Sequence, residues 1–139
     1  MRKLLLALLA TASTIATVGL TAGPAAALGG EQLGCYITPT PPPAQYHARS
    51  CSDGPGSTYS AAFGVMNGNG TYSYAWSVPA AYTSHIASGC TADTPRCVLS
   101  NLTPTSEITV SVTITQNGQS ATLSATAYIN QWCGQISCI

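Results

Sequence analysis

Glu107-Ile-Thr-Val-Ser-Val-Thr-Ile-Thr115 and Gln119-Ser-Ala-Thr-Leu-Ser-Ala-Thr-Ala-Tyr-Ile129 are two alternating runs on either side of Gln116-Asn117-Gly118. At period two, Ile108, Val110, Val112 and Ile114 share one face of the first run. Ala121, Leu123, Ala125, Ala127 and Ile129 share one face of the second, and Ser and Thr fill the opposite faces. Asn-Gly supplies the positive-φ positions of a tight turn, so the stretch predicts a β-hairpin. A hairpin alone is marginal in water, and these apolar faces call for a second layer.

Working upstream, the same alternation predicts further strands. Ser57–Met66 carries Tyr59, Ala61, Phe63 and Val65 at period two, and Asn67-Gly68-Asn69-Gly70 then turns the chain. Thr71–Val78 carries Tyr72, Tyr74, Trp76 and Val78; as the bulkiest strand, it nominates Trp76 for the centre of the core. Gln45–Cys51, Tyr82–Ser88 and Cys97–Leu102 complete about seven strands with the hairpin, and no segment outside the N-terminus has a helical apolar stripe. The expectation is all-β: a single antiparallel sandwich.

Ahead of these strands, Arg2-Lys3, the uncharged apolar run Leu4–Leu20, Pro24 and Ala25-Ala26-Ala27 have the order of a secretory leader, so 1–27 is set aside as a signal peptide. Residues 28–44 read as a tail and a Pro-rich spacer, with Pro39, Pro41, Pro42 and Pro43 favouring extended backbone, and 45–139 as the sandwich. The 139 residues less 27 leave 112, enough for one core. In that part Arg49 and Arg96 stand against Glu31, Asp53, Asp93 and Glu107, a net charge of −2 with no lysine. There is no basic stripe for phosphate backbones or anionic lipid, which excludes nucleic acid and leaves no membrane attachment after leader removal.

Six cysteines, Cys35, Cys51, Cys90, Cys97, Cys133 and Cys138, lie beyond the leader. An even count in a short exported chain reads as three disulfides; zinc spacing is missing, and no cofactor is called for. Loop closure favours the local pairs Cys35 with Cys51, Cys90 with Cys97 and Cys133 with Cys138. A sandwich topology would also bring Cys51 towards Cys133 or Cys138.

Leu102-Thr-Pro104-Thr-Ser-Glu-Ile108-Thr-Val110-Ser-Val112 resembles the stretch of fibronectin type III and related immunoglobulin-like domains that reads Leu, any, Pro, three of any kind, Tyr, any, Val, any, Val, with Ile108 in the tyrosine position. The Trp76 strand is similar to the tryptophan-bearing strand of immunoglobulin-like and PKD-like domains. The cysteine pair that joins the two sheets of antibody domains is absent from the corresponding strands. The resemblance implies an immunoglobulin-like sandwich and carries no functional residues across.

Among chemistry-bearing groups, His47, His85 and the four carboxylates form no nucleophile elbow, carboxylate pair or zincin motif, so no catalytic residue is assigned and no enzyme is expected. The expected role is a monomeric, secreted binding or structural module for a protein or glycan ligand. Tyr46, Tyr82, Tyr128 and Trp132 are candidate aromatic platforms for a sugar. Cys90-Thr-Ala-Asp-Thr-Pro-Arg-Cys97 resembles the reactive loop of Bowman-Birk-type serine protease inhibitors, with a shorter ring, Asp93 in the position of a Ser and a single proline. That resemblance would make Thr91, Ala92, Asp93 and Pro95 an inhibitory loop, with Ala92 entering an elastase-like pocket.

Overall fold

A computed structural model of the chain describes residues 28–38, 45–52, 58–104 and 106–129. The hairpin decides the architecture. Strands β8 (Ser106–Gln116) and β9 (Gln119–Ile129) pair without a slip from Ser106–Ile129 to Gln116–Gln119. Asn117 and Gly118 take φ of 51° and 78° at the turn, the two left-handed residues that the Asn-Gly signal requires. Ile108, Val110, Val112 and Ile114 are fully buried, as are Ala125, Ala127 and Ile129 at the far end of β9. On the other face the hydroxyls pair across the strands: Thr109 with Thr126, Ser111 with Ser124, Thr113 with Thr122 and Thr115 with Ser120, at 2.8–2.9 Å.

The described residues upstream form β1 (Gln32–Thr38), β2 (His47–Ala48), β3 (Ser50–Ser52), β4 (Tyr59–Met66), β5 (Ser73–Ser77), a 3-10 helix (Ala80–His85), β6 (Ile86–Gly89) and β7 (Arg96–Leu102). They make an all-β sandwich of two sheets: a five-stranded one in the order β2-β1-β4-β7-β6, and a four-stranded one in the order β3-β9-β8-β5. Leu33, Cys35 and Ile37 of β1, Tyr59, Ala61 and Phe63 of β4 and Cys97 and Leu99 of β7 face the buried side of the hairpin. At ~25 cal/mol per Å2 of apolar surface removed from water, these side chains supply the main stabilisation of the fold.

Five expectations are corrected. Residues 28–38 are not a tail: β1 pairs with β4 along its whole length, from Gln32–Met66 to Thr38–Ser60. Its Leu33, Cys35 and Ile37 carry the period-two signal, which Gly34 and the following prolines obscure. The Pro-rich stretch 39–44 lies outside the described residues. Next, the single strand Gln45–Cys51 is two, because Arg49 at φ 70° turns the chain from one sheet to the other. Its amide donates to Leu33 O in the larger sheet, and its carbonyl accepts from Thr126 N in the smaller. In consequence β3 pairs parallel with β9, so the sandwich is not wholly antiparallel.

Trp76, in turn, is half-buried at the periphery of the core, because β5 is a five-residue edge strand with β8 as its one sheet neighbour among the described residues. The largest fully buried side chains are Tyr59 and Phe63 on β4. Lastly, Tyr82–Ser88 is not a strand throughout: Pro79 leads into the 3-10 helix, and pairing begins at Ile86.

Two of the expected disulfides are formed. Cys35–Cys51 joins β1 to β3, and so one sheet to the other, with both sulfurs in the core. Cys90–Cys97 closes the connection between β6 and β7. Cys133 and Cys138 lie outside the described residues.

Candidate functional site

On the outer face of the larger sheet, one row across the strands reads Ala48, Gly34, Gly64, Arg96, and the next reads Tyr36, Ala62, Val98. Two directly opposed glycines leave a bare stretch of backbone in the middle of a sheet. Tyr46, just before β2, lies across it. A Cβ at Gly64 would stand 2.8 Å from Cε1 and Cζ of the Tyr46 ring, and one at Gly34 would run into Met66 Sδ and stand 3.1 Å from His47 O and Tyr46 Cβ. Glycine inside a strand weakens it, and is expected where another group approaches the backbone this closely.

Tyr36 stands edge-on to Tyr46, with ring centroids 4.9 Å apart and planes at 76°. Arg96 completes the group: its Nη2 donates to the Tyr36 hydroxyl oxygen at 2.7 Å, and its guanidinium carbon lies 5.9 Å from the Tyr36 centroid. Burial pushes the Tyr46 phenol above its ordinary range; Arg96 opposes the rise and Tyr36 adds to it. The result is a corner of two aromatic rings with a cation at one side, an arrangement suited to an apolar ring face bearing polar or anionic substituents.

Of the four aromatic residues expected to form a platform, Tyr46 alone belongs to this corner. Tyr82 sits on the 3-10 helix, 6.1 Å from the His85 ring. Tyr128 lies on the outer side of β9, in register with Glu107 and Ser52, on the other sheet. Trp132 is outside the described residues. Tyr36, Arg96, Gly34 and Gly64 were missed by the sequence reading. Recognition of Leu33, Cys35 and Ile37 as an inward face would have placed Tyr36 outward, but no local pattern links it to Arg96, 60 residues on.

The Cys90–Cys97 ring lies against the rest of the domain. Ala92 O accepts from Tyr74 N at 2.8 Å, Thr94 O from Trp76 Nε1 at 3.0 Å and Pro95 O from Val65 N at 3.0 Å. Thr91 Oγ1 donates to Asp93 Oδ1 at 2.7 Å and holds that carboxyl below its ordinary value, with Thr94 adding a weaker contact. The Ala92 carbonyl is thereby engaged by the Tyr74 amide. The geometry is that of a staple: the ring ties β4 in one sheet to β5 in the other.

Among the described residues, no helix is long and apolar enough to cross a membrane, and no three His, Cys, Asp or Glu side chains converge as a metal site would need. Comparison of the chain with protein-family models, with curated proteins and with solved structures finds no match.

Proposed function

We propose that this chain is an exported, monomeric, immunoglobulin-like binding module whose ligand docks on the outer face of the larger sheet. The strand order supports the fold type: β1-β4-β7-β6 follows the order A-B-E-D of such domains and β9-β8-β5 follows G-F-C, which puts Trp76 on the strand equivalent to C. Export is supported by the leader-like residues 1–27 and by two disulfides.

The observation that carries the binding role is the Tyr46 ring held over Gly64 beside Tyr36 and Arg96. A strand glycine is a standing cost to the sheet, roughly 0.5–1 kcal/mol against alanine, and what Gly64 accommodates is an aromatic ring at the surface, while Gly34 makes room for Met66 Sδ and for the chain at Tyr46 and His47. The test is an array of immobilised glycans and extracellular proteins probed with the wild-type chain and with Tyr46→Ala. Retention that the variant loses supports the reading. A wild-type chain that is retained by nothing, or a variant retained equally well, overturns it in favour of a purely structural module.

A further inference from the structure

We infer that the corner made by Tyr36, Tyr46 and Arg96 takes an acidic pyranose, a uronate-type sugar unit, with the sugar ring against the tyrosines and its carboxylate on Arg96. This rests on the binding reading above and adds the chemical class of the ligand.

Three observations carry it. The first is the pre-set position of the aromatic surface: Tyr46 is seated on backbone, with Tyr36 at 76° against it, so little side-chain freedom is left to lose on binding. The flat C–H faces of a pyranose match such rings, and its hydroxyls can meet the phenol oxygens. The second is the state of Arg96. It gives one N–H to Tyr36, makes no ion pair among the described residues, and is exposed. A guanidinium has five N–H donors in a planar fork that fits a carboxylate with two parallel bonds.

The third is that the acid nearest in sequence is turned away. Asp93 is held by the Thr91 and Thr94 hydroxyls within the disulfide ring, and does not neutralise Arg96. Beyond residue 27, where Arg49 and Arg96 are the only Arg or Lys residues, a cation kept beside two rings favours an anionic ligand with one apolar face. A single guanidinium suits one carboxylate. A highly sulfated chain would draw on a broad basic surface, which this protein lacks.

Isothermal titration with the full oxidised chain provides the test. The probes are a galacturonate trisaccharide, a neutral galactose trisaccharide and a sulfated disaccharide. The expected result is binding of the galacturonate at least tenfold tighter than the neutral sugar, weakened by salt. Arg96→Gln should bring the two within about twofold, Arg96→Lys should restore part of the preference, and Tyr46→Ala should weaken both at least tenfold. Thr113→Ala, on the other sheet, should change nothing.

Near-UV circular dichroism checks that each variant is folded, and the wild-type acidic-to-neutral ratio decides the matter if one is not. Equal affinity for the acidic and neutral sugars, tighter binding of the sulfated one, or an Arg96→Gln chain with an unchanged preference overturns the inference. So does the absence of galacturonate binding; in that case retention of any other ligand on the array through Tyr46 leaves the binding role standing.

Discussion

A methyl group at position 64 would meet the Tyr46 ring at 2.8 Å, so the smallest possible substitution reports on the platform. Gly64→Ala is expected to cost about 1–3 kcal/mol, in the range for overpacking, and to lift Tyr46 off the sheet. Because burial is what raises the Tyr46 phenol, its titration should fall back towards the ordinary value in this variant. Ultraviolet titration together with urea unfolding checks both effects, and an unchanged phenol would show that the ring does not rest there. Trp76 is a second case. Its ring is half-buried, and its N–H donates to Thr94 O. Trp76→Phe keeps most of the packing and removes the hydrogen bond, for an expected loss of about 1 kcal/mol by urea denaturation. A loss above ~3 kcal/mol would mean that the indole is fully buried rather than half-buried.

The strands differ in how plainly the sequence declares them, and the differences have physical causes. The β8–β9 hairpin was legible because its register is local: an Asn-Gly turn and two clean alternations determine every pair. β4 was legible for the same reason. β1 was not, since its partner β4 begins 21 residues after β1 ends, across a Pro-rich stretch. Side-chain size nominates Trp76 for the centre of the core, whereas position in the sheet order decides how many neighbours a side chain has, and β5 lies at an edge. Only Tyr46 of the platform was anticipated, since Arg96 and Tyr36 meet through the pairing of β1, β4 and β7.

Connections between elements carry the next two predictions. At the start of β1, Tyr72 O–H donates to Glu31 Oε1 at 2.7 Å, while the Tyr72 oxygen accepts from Asn69 N, which latches β1 to the β4–β5 turn. That bond is the first cause holding the Glu31 carboxyl below its usual 4.5. A depressed carboxyl stabilises the fold above its unfolded value, and this contribution is lost as pH falls through the folded value. Stability should therefore drop below about pH 4.5, and Tyr72→Phe should reduce that dependence, read as urea midpoints at pH 3 and pH 7. Equal pH dependence in both proteins would contradict the latch. The Cys90–Cys97 ring likewise covers the free edge of β5, where Ala92 O takes the Tyr74 amide. Replacing both cysteines with serine should cost about 2.5 kcal/mol by chain entropy and, by uncovering a strand edge, should promote self-association. Sedimentation of the double variant, compared with the wild type, checks the second effect.

At the scale of the whole molecule, the fold depends on a chain that changes sheets at Arg49 and is pinned there. Cys35 is 0% exposed and Cys51 5%, one in each sheet, so their disulfide crosses the core and keeps β1 on the larger sheet, where Tyr36 becomes part of the platform. Closing a loop of this length is worth about 3 kcal/mol. The sandwich, the parallel β3–β9 pair and the corner of Tyr36, Tyr46 and Arg96 all follow from that arrangement. Its most direct test uses non-reducing digestion of the oxidised protein with trypsin, which cuts after Arg49 and so between the two cysteines, followed by chymotrypsin and mass spectrometry. The arrangement predicts a peptide containing Cys35 linked to one containing Cys51. A Cys51 peptide linked instead to one containing Cys133 or Cys138 would contradict it.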